Sequence, residues 1–523
     1  MSKLSGLLLL LSLLLSASPH EDAAEIGRLI DMLGDYAPET REGAEKALLA
    51  LGEKALPLLT EAVAKKEDAE IRLRCERLRK WIPRRDSISP ELLNAIPDVL
   101  DILASDNEMA KSDLLKTISG GRRRDDPSRH YHIRRQDMAG IVIEIAKELK
   151  DPQLKRQTLD LTISHMLPRV APHLVRLLKP EEESDIQIKA MTVIGNWCEK
   201  SAAPAVARLK AKSNDAEVVR SACMLLARLG EKSVTPDILK YLESDDRQVK
   251  ITAIFALGAV GATEQIDKLL ALMEDSDIQV AVVAVKSLEL LKNPDALPPI
   301  VKFAERTYAT TRELPDDINN PIQMPHMALL SALSATAVLA RTADPARYEK
   351  ELEILLAIAR AKQRVEWDVA PLAAAQALVA FGREEGADVL LKQRGPMNPM
   401  GLGILNKLSN PDLYRKLAGS EHAMDAPFVY ENSKAFAEAL SKAAGVEVLW
   451  GDIAPEGNHE IRAHLPHTRA NIIDVLDATT LDGMSYILYN NRITIVQSFQ
   501  ALHFFTTWRR EKRKKSAANE KEY

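Results

Sequence analysis

Aromatic residues are scarce: eight Phe, ten Tyr and five Trp are 4% of a 523-residue sequence whose hydrophobic content is 46%. Ala, Leu, Val and Ile therefore carry the apolar content, which suits packed helices and argues against a β-sandwich or a carbohydrate-binding surface. Cysteine is rarer still. Cys75, Cys198 and Cys223 lie far apart without CxxC spacing, and the odd number leaves at least one unpaired, so no disulfide framework is expected. Cys198 and Cys223 fall inside helical patterns, where a small buried hydrophobe is the expected role. Neither sign of charge dominates: 70 basic against 75 acidic residues leave a net charge of −5, and no nucleic-acid partner is expected.

Catalytic signatures are missing as well. GxxxxGK[ST], GxSxG and CxxC do not occur, so phosphate-cradling, nucleophile-elbow and thiol-redox chemistry have no starting residue. His459-Glu460-Ile461-Arg462-Ala463-His464 is one residue longer than HExxH. On a helix its two imidazoles stand roughly 140° apart, and on a strand they point to opposite faces, which rejects a zinc site. His130 and His132 share one face of an extended segment but lack a local third ligand. No metal, no cofactor and no enzymatic activity are expected.

Long hydrophobic runs are absent after the N-terminus. Leu7 to Leu15, broken only by Ser12, is short against the roughly twenty residues of a membrane span. Lys3 precedes this run, and the small residues Ser16-Ala17-Ser18 follow it before Pro19 and the charged His20-Glu21-Asp22. The pattern is that of a secretory signal peptide over residues 1–17, cleaved near Ala17, and the mature chain is expected to have no transmembrane span.

What the sequence does contain is a repeat. Val170-Ala171-Pro172, Ala202-Ala203-Pro204 and Val234-Thr235-Pro236 start 32 residues apart, as do Glu199-Lys200-Ser201 and Glu231-Lys232-Ser233. Further units open at Ile266 and Leu297-Pro298-Pro299. Each proline sits where a first helical turn begins and an N–H is not needed. Two helical stripes per unit are separated by acidic turns at Asp185, Asn214-Asp215, Asp245-Asp246 and Asp275-Ser276-Asp277. Val219, Ala222, Cys223, Leu226 and Leu229 mark one second helix, and Val249, Thr252, Ala253 and Ala256 the next. Small residues on this face permit close packing, and a helix pair this short buries its apolar face only by stacking on its neighbours.

The pattern over residues 170–300 resembles the HEAT-repeat family, in its short variety also found in phycobilin lyase-like proteins. Ala24 to Trp81 follows the same grammar more loosely, and residues 325–418 look like degenerate helical pairs. The resemblance implies a HEAT-like α-solenoid over residues 22–420 that binds other proteins. Two polar loops are expected to interrupt it, at 119–136 and at 307–324. The first contains Arg122, Arg123, Arg124, Arg134 and Arg135, which read either as a solvated loop balanced by Asp125-Asp126 or as a contact for an acidic partner.

Beyond Ala426 the period changes. Phe428 to Tyr430 predicts a strand, Phe436 to Ala444 a helix ended by Gly445, Val446 to Trp450 a strand, and Ile461 to Leu465 a third strand. Ile472 to Thr479 predicts a second helix closed by Gly483, before two strands about an Asn490-Asn491 turn. This βαββαββ order, with Asn471-Ile472-Ile473-Asp474-Val475-Leu476-Asp477 and Leu481-Asp482-Gly483-Met484-Ser485-Tyr486, resembles the secretin and TonB short N-terminal domain over residues 427–497. That resemblance implies a periplasmic interaction module, although no barrel or secretin segment follows. The fold class is thus mainly α: a solenoid followed by a small α+β domain.

The tail, residues 498–523, places Ala501, Phe504, Phe505 and Trp508 on one helical face. Arg509, Arg510, Lys512, Arg513, Lys514 and Lys515 follow, interrupted only by Glu511. An anionic membrane surface or an acidic partner suits this pairing, and so does packing of the aromatic face on the preceding domain. The sequence thus points to a non-enzymatic, exported, periplasmic scaffold or adaptor with protein partners in the bacterial cell envelope. The competing reading is a lyase-type or enzyme-associated HEAT protein with a site in the irregular loops.

Overall fold

A computed structural model of the chain describes residues 19–85, 87–119, 135–313, 324–361, 369–392, 402–419, 423–425, 429–430, 432–450, 461–462, 465, 469–478 and 484–519. The chain divides into two compact units, Met1–Leu174 and Val175–Tyr523.

In the first unit, α1 (Pro19–Met32), α2 (Pro38–Leu51), α3 (Leu56–Lys65) and α4 (Ala69–Arg85) form two helical pairs. Their shared core includes Leu33, Leu48, Leu59, Cys75 and Leu78. Glu45 is nearly buried and is held by Arg74 at 3.2 Å and by Arg77. The unit continues through α5 (Pro90–Ala95), α6 (Val99–Ala104), α7 (Glu108–Ile118), α8 (Arg135–Lys147), α9 (Pro152–Ser164) and α10 (Ala171–Leu174). Most of the expected loop at 119–136 lies outside the described residues, and Arg135 already opens α8.

The second unit carries the repeat. Second helices α11 (Ser184–Asn196), α13 (Ala216–Arg228), α15 (Arg247–Val260), α17 (Ile278–Leu291), α19 (Met324–Ala340) and α21 (Ala370–Ala380) pack in one continuous row. First helices α12 (Ala203–Lys212), α14 (Thr235–Tyr241), α16 (Ile266–Leu272), α18 (Leu297–Glu313) and α20 (Glu349–Arg360) pair with them, and α22 (Glu384–Lys392) packs on α20 and α21. Three of the four acidic turns of the sequence act as helix caps: Asp215, Asp246 and Asp277 each accept from backbone N–H in the first turn of α13, α15 and α17, whereas Asp185 lies inside the first turn of α11, which has no side-chain cap. Pro204, Pro236 and Pro298 are each the second residue of their helix. From α9, near the end of the first compact unit, through α11, α13, α15 and α17, one left-handed residue follows each helix. That position falls every 31 or 32 residues, at Met166, Cys198, Gly230, Gly261 and Lys292, all with φ between 49° and 88°.

One expected loop is shorter than the sequence indicates. Residues 307–313 extend α18 by nearly two turns, with Thr307 and Thr311 buried. Their hydroxyls donate to Phe303 O and Tyr308 O, both at 2.7 Å, so these two buried hydroxyls are satisfied within the helix.

After α23 (Asn406–Ser409) and α24 (Pro411–Ala418) come β1 (Ala423–Asp425), β2 (Val429–Tyr430), α25 (Ser433–Ala444), β3 (Glu447–Trp450), β4 (Ile461–Arg462), β5 (Arg469–Asn471), α26 (Ile472–Ala478), β6 (Met484–Tyr489), β7 (Arg492–Gln497) and α27 (Ser498–Asn519). The largest sheet has the order β3-β7-β6, with β3 parallel and β6 antiparallel to β7. Asn490 and Asn491, at φ 48° and 57°, form the two-residue hairpin turn that the sequence predicts. Strands β1 and β5 were not predicted; they pair antiparallel, and three residues each without alternation leave no period to read. Thr479 and Gly483 lie outside the described residues.

Small residues set the spacing of the row. A Cβ on Gly258 would meet Ser287 Cα at 2.6 Å and Ser287 O at 2.9 Å, while Ser287 Oγ donates to Ile254 O at 2.8 Å. Gly258→Ala gains about 1 kcal/mol of helix propensity but forces α15 off α17 backbone, which costs about 1–3 kcal/mol. We expect net destabilisation, read as lost amide protection in α15 and α17. Gly43→Ala in α2, where nothing lies within 4 Å of the new methyl, should instead stabilise by about 0.5–1 kcal/mol.

Candidate interaction surfaces

Across α11, α13 and α15 the second helices turn one flank to their first helices and leave another open. On α13, Val219, Cys223 and Leu226 line a cleft shared with α12 and α14, where Lys210 pairs with Asp237 at 2.7 Å. The Lys210 ammonium holds the Asp237 carboxyl below its usual range, so this cleft carries a neutralised pair. Burial pushes the Cys223 thiol up, as expected for an inert core cysteine.

The opposite flank of α13 forms the floor of a second groove of about 370 Å³ across α11, α13 and α15. Met191, Met224 and Leu225 supply an apolar base, with Phe255, Thr192 and Thr252 along its sides. Glu217 stands at one end and Arg228 at the other, eleven residues or about 16 Å apart along the helix. Glu217 is paired with Arg220 at 3.3 Å. Among the described residues Arg228 has no carboxylate partner: Nη1 reaches Asn196 Oδ1 at 3.5 Å, the guanidinium lies 5.9 Å from the Phe255 ring centre, and Nε is buried without a hydrogen bond. A Cβ on Gly195 would lie 3.4 Å from Arg228 Nη1, so the missing side chain makes room for the guanidinium. Burial lowers the Arg228 pKa.

Sequence reasoning passed over Arg228 because it lies off the apolar stripe. Aligned on the left-handed residues, the position two before them reads Ser164, Asn196, Arg228, Ala259 and Leu290, and Arg228 alone is charged. That exception within the repeat was a legible signal.

A buried ionic joint ties the strand-containing region to the solenoid helices of its own unit. Arg341, following α19, donates to Asp474 Oδ1 at 2.9 Å and to Asp477 Oδ2 at 2.6 Å, and Lys292 adds a second cation on Asp474. Tyr486 donates to Asp477 Oδ1 at 2.9 Å. Burial opposes the Arg341 charge, but Tyr414, Asp477 and Asp474 around it raise its pKa above the ordinary value. Lys407 donates to Ala340 O and Arg341 O at 3.1 and 2.8 Å and also to Ala380 O, capping two helix ends. Its own pKa is pushed down to about 8 by burial and by the Arg341 and Arg415 charges. Asn406 Nδ2 donates to Tyr486 O and Asn406 Oδ1 accepts from Leu488 N, so one amide pairs along the edge of β6.

The candidate residues of the sequence fall in different places. Arg122, Arg123, Arg124 and Arg134 lie outside the described residues, and of Arg135 only the backbone is described. In α27, Phe505 is fully buried with Ala501, where the helix packs on β6 and β7, and is thereby removed from any partner-facing surface. Phe504 stacks edge-on against Tyr489 and Phe505, and Trp508 is half-buried with the Lys512 ammonium 5.5 Å from its ring. Arg509 and Arg513 bind Asp388 at 2.9 and 2.6 Å, while Arg509 and Lys512 also hold Glu384, both acids belonging to α22. Arg510 and Lys514 are exposed along a cleft of about 450 Å³ between α22 and α27. Lys515 continues the helix. Among the described residues no three His, Cys, Asp or Glu side chains are placed to hold a metal ion, and no helix is long and apolar enough to cross a membrane.

Two outcomes follow. Arg341→Met leaves Asp474 and Asp477 short of a partner in a buried site and should cost about 3–5 kcal/mol, with partial recovery when both acids become Asn; urea unfolding measures it. For the tail, Lys512 and then Arg509 hold Glu384 below its usual range, and at Asp388 the upward push of burial is outweighed by bonds from Arg509 and Arg513. Both folded-state values lie below the unfolded ones of about 4, so their stabilisation is present above those values and lost as pH falls through the folded ones. Arg509→Gln should therefore lower the melting temperature at neutral pH, and the gap to the unmodified protein should close in acid.

A family model of HEAT repeats matches residues 235–314. None of the curated proteins matches the chain. Among solved structures, one described as Kap95p binding inducing the switch loops of RanGDP to adopt the GTP-bound conformation is similar at 13% identity, with a TM-score of 0.30 over 82% of this chain and 55% of that chain. The match thus spans about half the length of that neighbour. The fold of this chain is a HEAT-like α-solenoid with a small C-terminal sheet region.

Proposed function

We propose that this chain is a non-enzymatic scaffold, exported to the bacterial cell envelope, in which the solenoid holds a protein partner and residues 427–497 dock a second envelope component. The observation that carries this reading is the continuous row of second helices from α11 to α21, with a groove open across α11, α13 and α15. A stacked array of this kind spreads recognition over many side chains rather than concentrating chemistry at one point. The leader-like first seventeen residues support export, and the likeness of the strand-containing region to the secretin and TonB short N-terminal domain supports the envelope setting.

An anionic membrane surface enters this reading through Arg510 and Lys514, since Arg509, Lys512 and Arg513 are engaged with α22. Crosslinking followed by purification from envelope extracts should recover a stoichiometric protein partner and a mature chain that starts near Ser18. Recovery of a bound coloured or phosphorylated small molecule without a protein would favour the lyase-type alternative. Changing Arg510 and Lys514 to Gln should weaken salt-sensitive binding to vesicles containing anionic lipid while the melting temperature stays constant; no vesicle binding by the unmodified protein would remove the membrane from the reading.

A further inference from the structure

We propose that the groove across α11, α13 and α15 binds an apolar segment of a partner protein through one acidic side chain, which pairs with Arg228. The inference rests on the scaffold reading and names the chemistry that one of its surfaces selects. Arg228 is the element that decides it. A guanidinium carries five donors and a permanent charge, and one turned toward a low-dielectric wall is stabilised chiefly by a carboxylate. Here it has a single long bond to an amide and an aromatic face near the limit of a cation–π contact. The other ionic groups of the groove are spoken for: Glu217 pairs with Arg220, and Asp246 caps α15.

The rest of the groove states what accompanies the acid. Met191 and Met224 are adaptable apolar surfaces, and Phe255 adds an aromatic wall. The hydroxyls of Thr192 and Thr252 donate to their own helices, to Ile188 O at 3.0 Å and Gln248 O at 2.7 Å, which leaves them as acceptors toward a partner's N–H groups. About 16 Å of floor accommodates roughly five residues of extended chain. A nucleic acid or lipid headgroup would need a cluster of cations, whereas among the described residues the groove has one cation without a counter-ion.

The test uses the full chain and a library of random seven-residue peptides with amidated C-termini, so that only side-chain carboxylates count. The unmodified protein should enrich peptides with one Asp or Glu among apolar residues. Arg228→Gln should fold with an unchanged melting temperature, weaken the selected peptides by about tenfold or more and lose the acidic preference; Arg228→Glu should turn the preference toward Lys and Arg. Thr252→Trp places bulk in the groove while Arg228 itself is unchanged and should also abolish binding, which keeps the idea testable if an Arg228 variant fails to fold. No enrichment, an acidic preference that survives Arg228→Gln, or binding that depends instead on Arg510 and Lys514 would overturn the proposal. Failure here alongside a stoichiometric envelope partner would sink this site and leave the scaffold reading standing.

Discussion

Each second helix of the row has to bury itself on several sides at once, against its own first helix and against the second helices before and after it, and the rest of the second unit follows from that constraint. Bulky side chains cannot serve every side. Gly258 is met by the backbone of Ser287, and Ala253, Ala256, Ala284 and Ala332 are fully or almost fully buried along the same row. The low aromatic content of the sequence is the compositional trace of this close approach. So is the economy of the connections: in the period from α12 to α14 an acidic cap at Asp215, a proline in each first helix and the left-handed Gly230 are enough to reverse the chain.

The end of that row poses a second problem, because helix C-termini expose carbonyl groups and a three-stranded sheet exposes an edge. One short stretch addresses both. Lys407 donates to carbonyls at the ends of α19 and α21, and the adjacent Asn406 pairs with Tyr486 O and Leu488 N along β6. Arg341, with Asp474 and Asp477, then locks helix and strand-containing region together through charges that are largely out of water. The cost of desolvating such groups is high, and it is recovered only by the full set of bonds, which fixes one arrangement of the parts.

Against this background of paired charges, the treatment of cations differs by place. The basic tail meets Glu384 and Asp388 and becomes part of the fold over much of its length. Lys210 meets Asp237 in the cleft on the other flank of α13. Arg228 meets only an amide and a ring, and it does so in a groove with an apolar base. A charge left without a counter-ion among the described residues is the feature that a partner can use.

The repeat was legible in the sequence because its signals are local. Period, capping acids, first-turn prolines and apolar stripes act within one or two helical turns, so they determined the paired-helix architecture, the hairpin at Asn490-Asn491 and the helix ended by Gly445. The end of α18 was misjudged because Thr307 and Thr311 look like loop residues until their hydroxyls find carbonyls one turn back. Strands β1 and β5 went unseen because three residues carry no period. Only the tertiary structure decided that Asp474 and Asp477 meet Arg341, more than a hundred residues away, that Arg509 reaches Asp388, and that Arg228 meets no acid among the described residues. Charge pairing is set by distance through space, and a sequence records only distance along the chain.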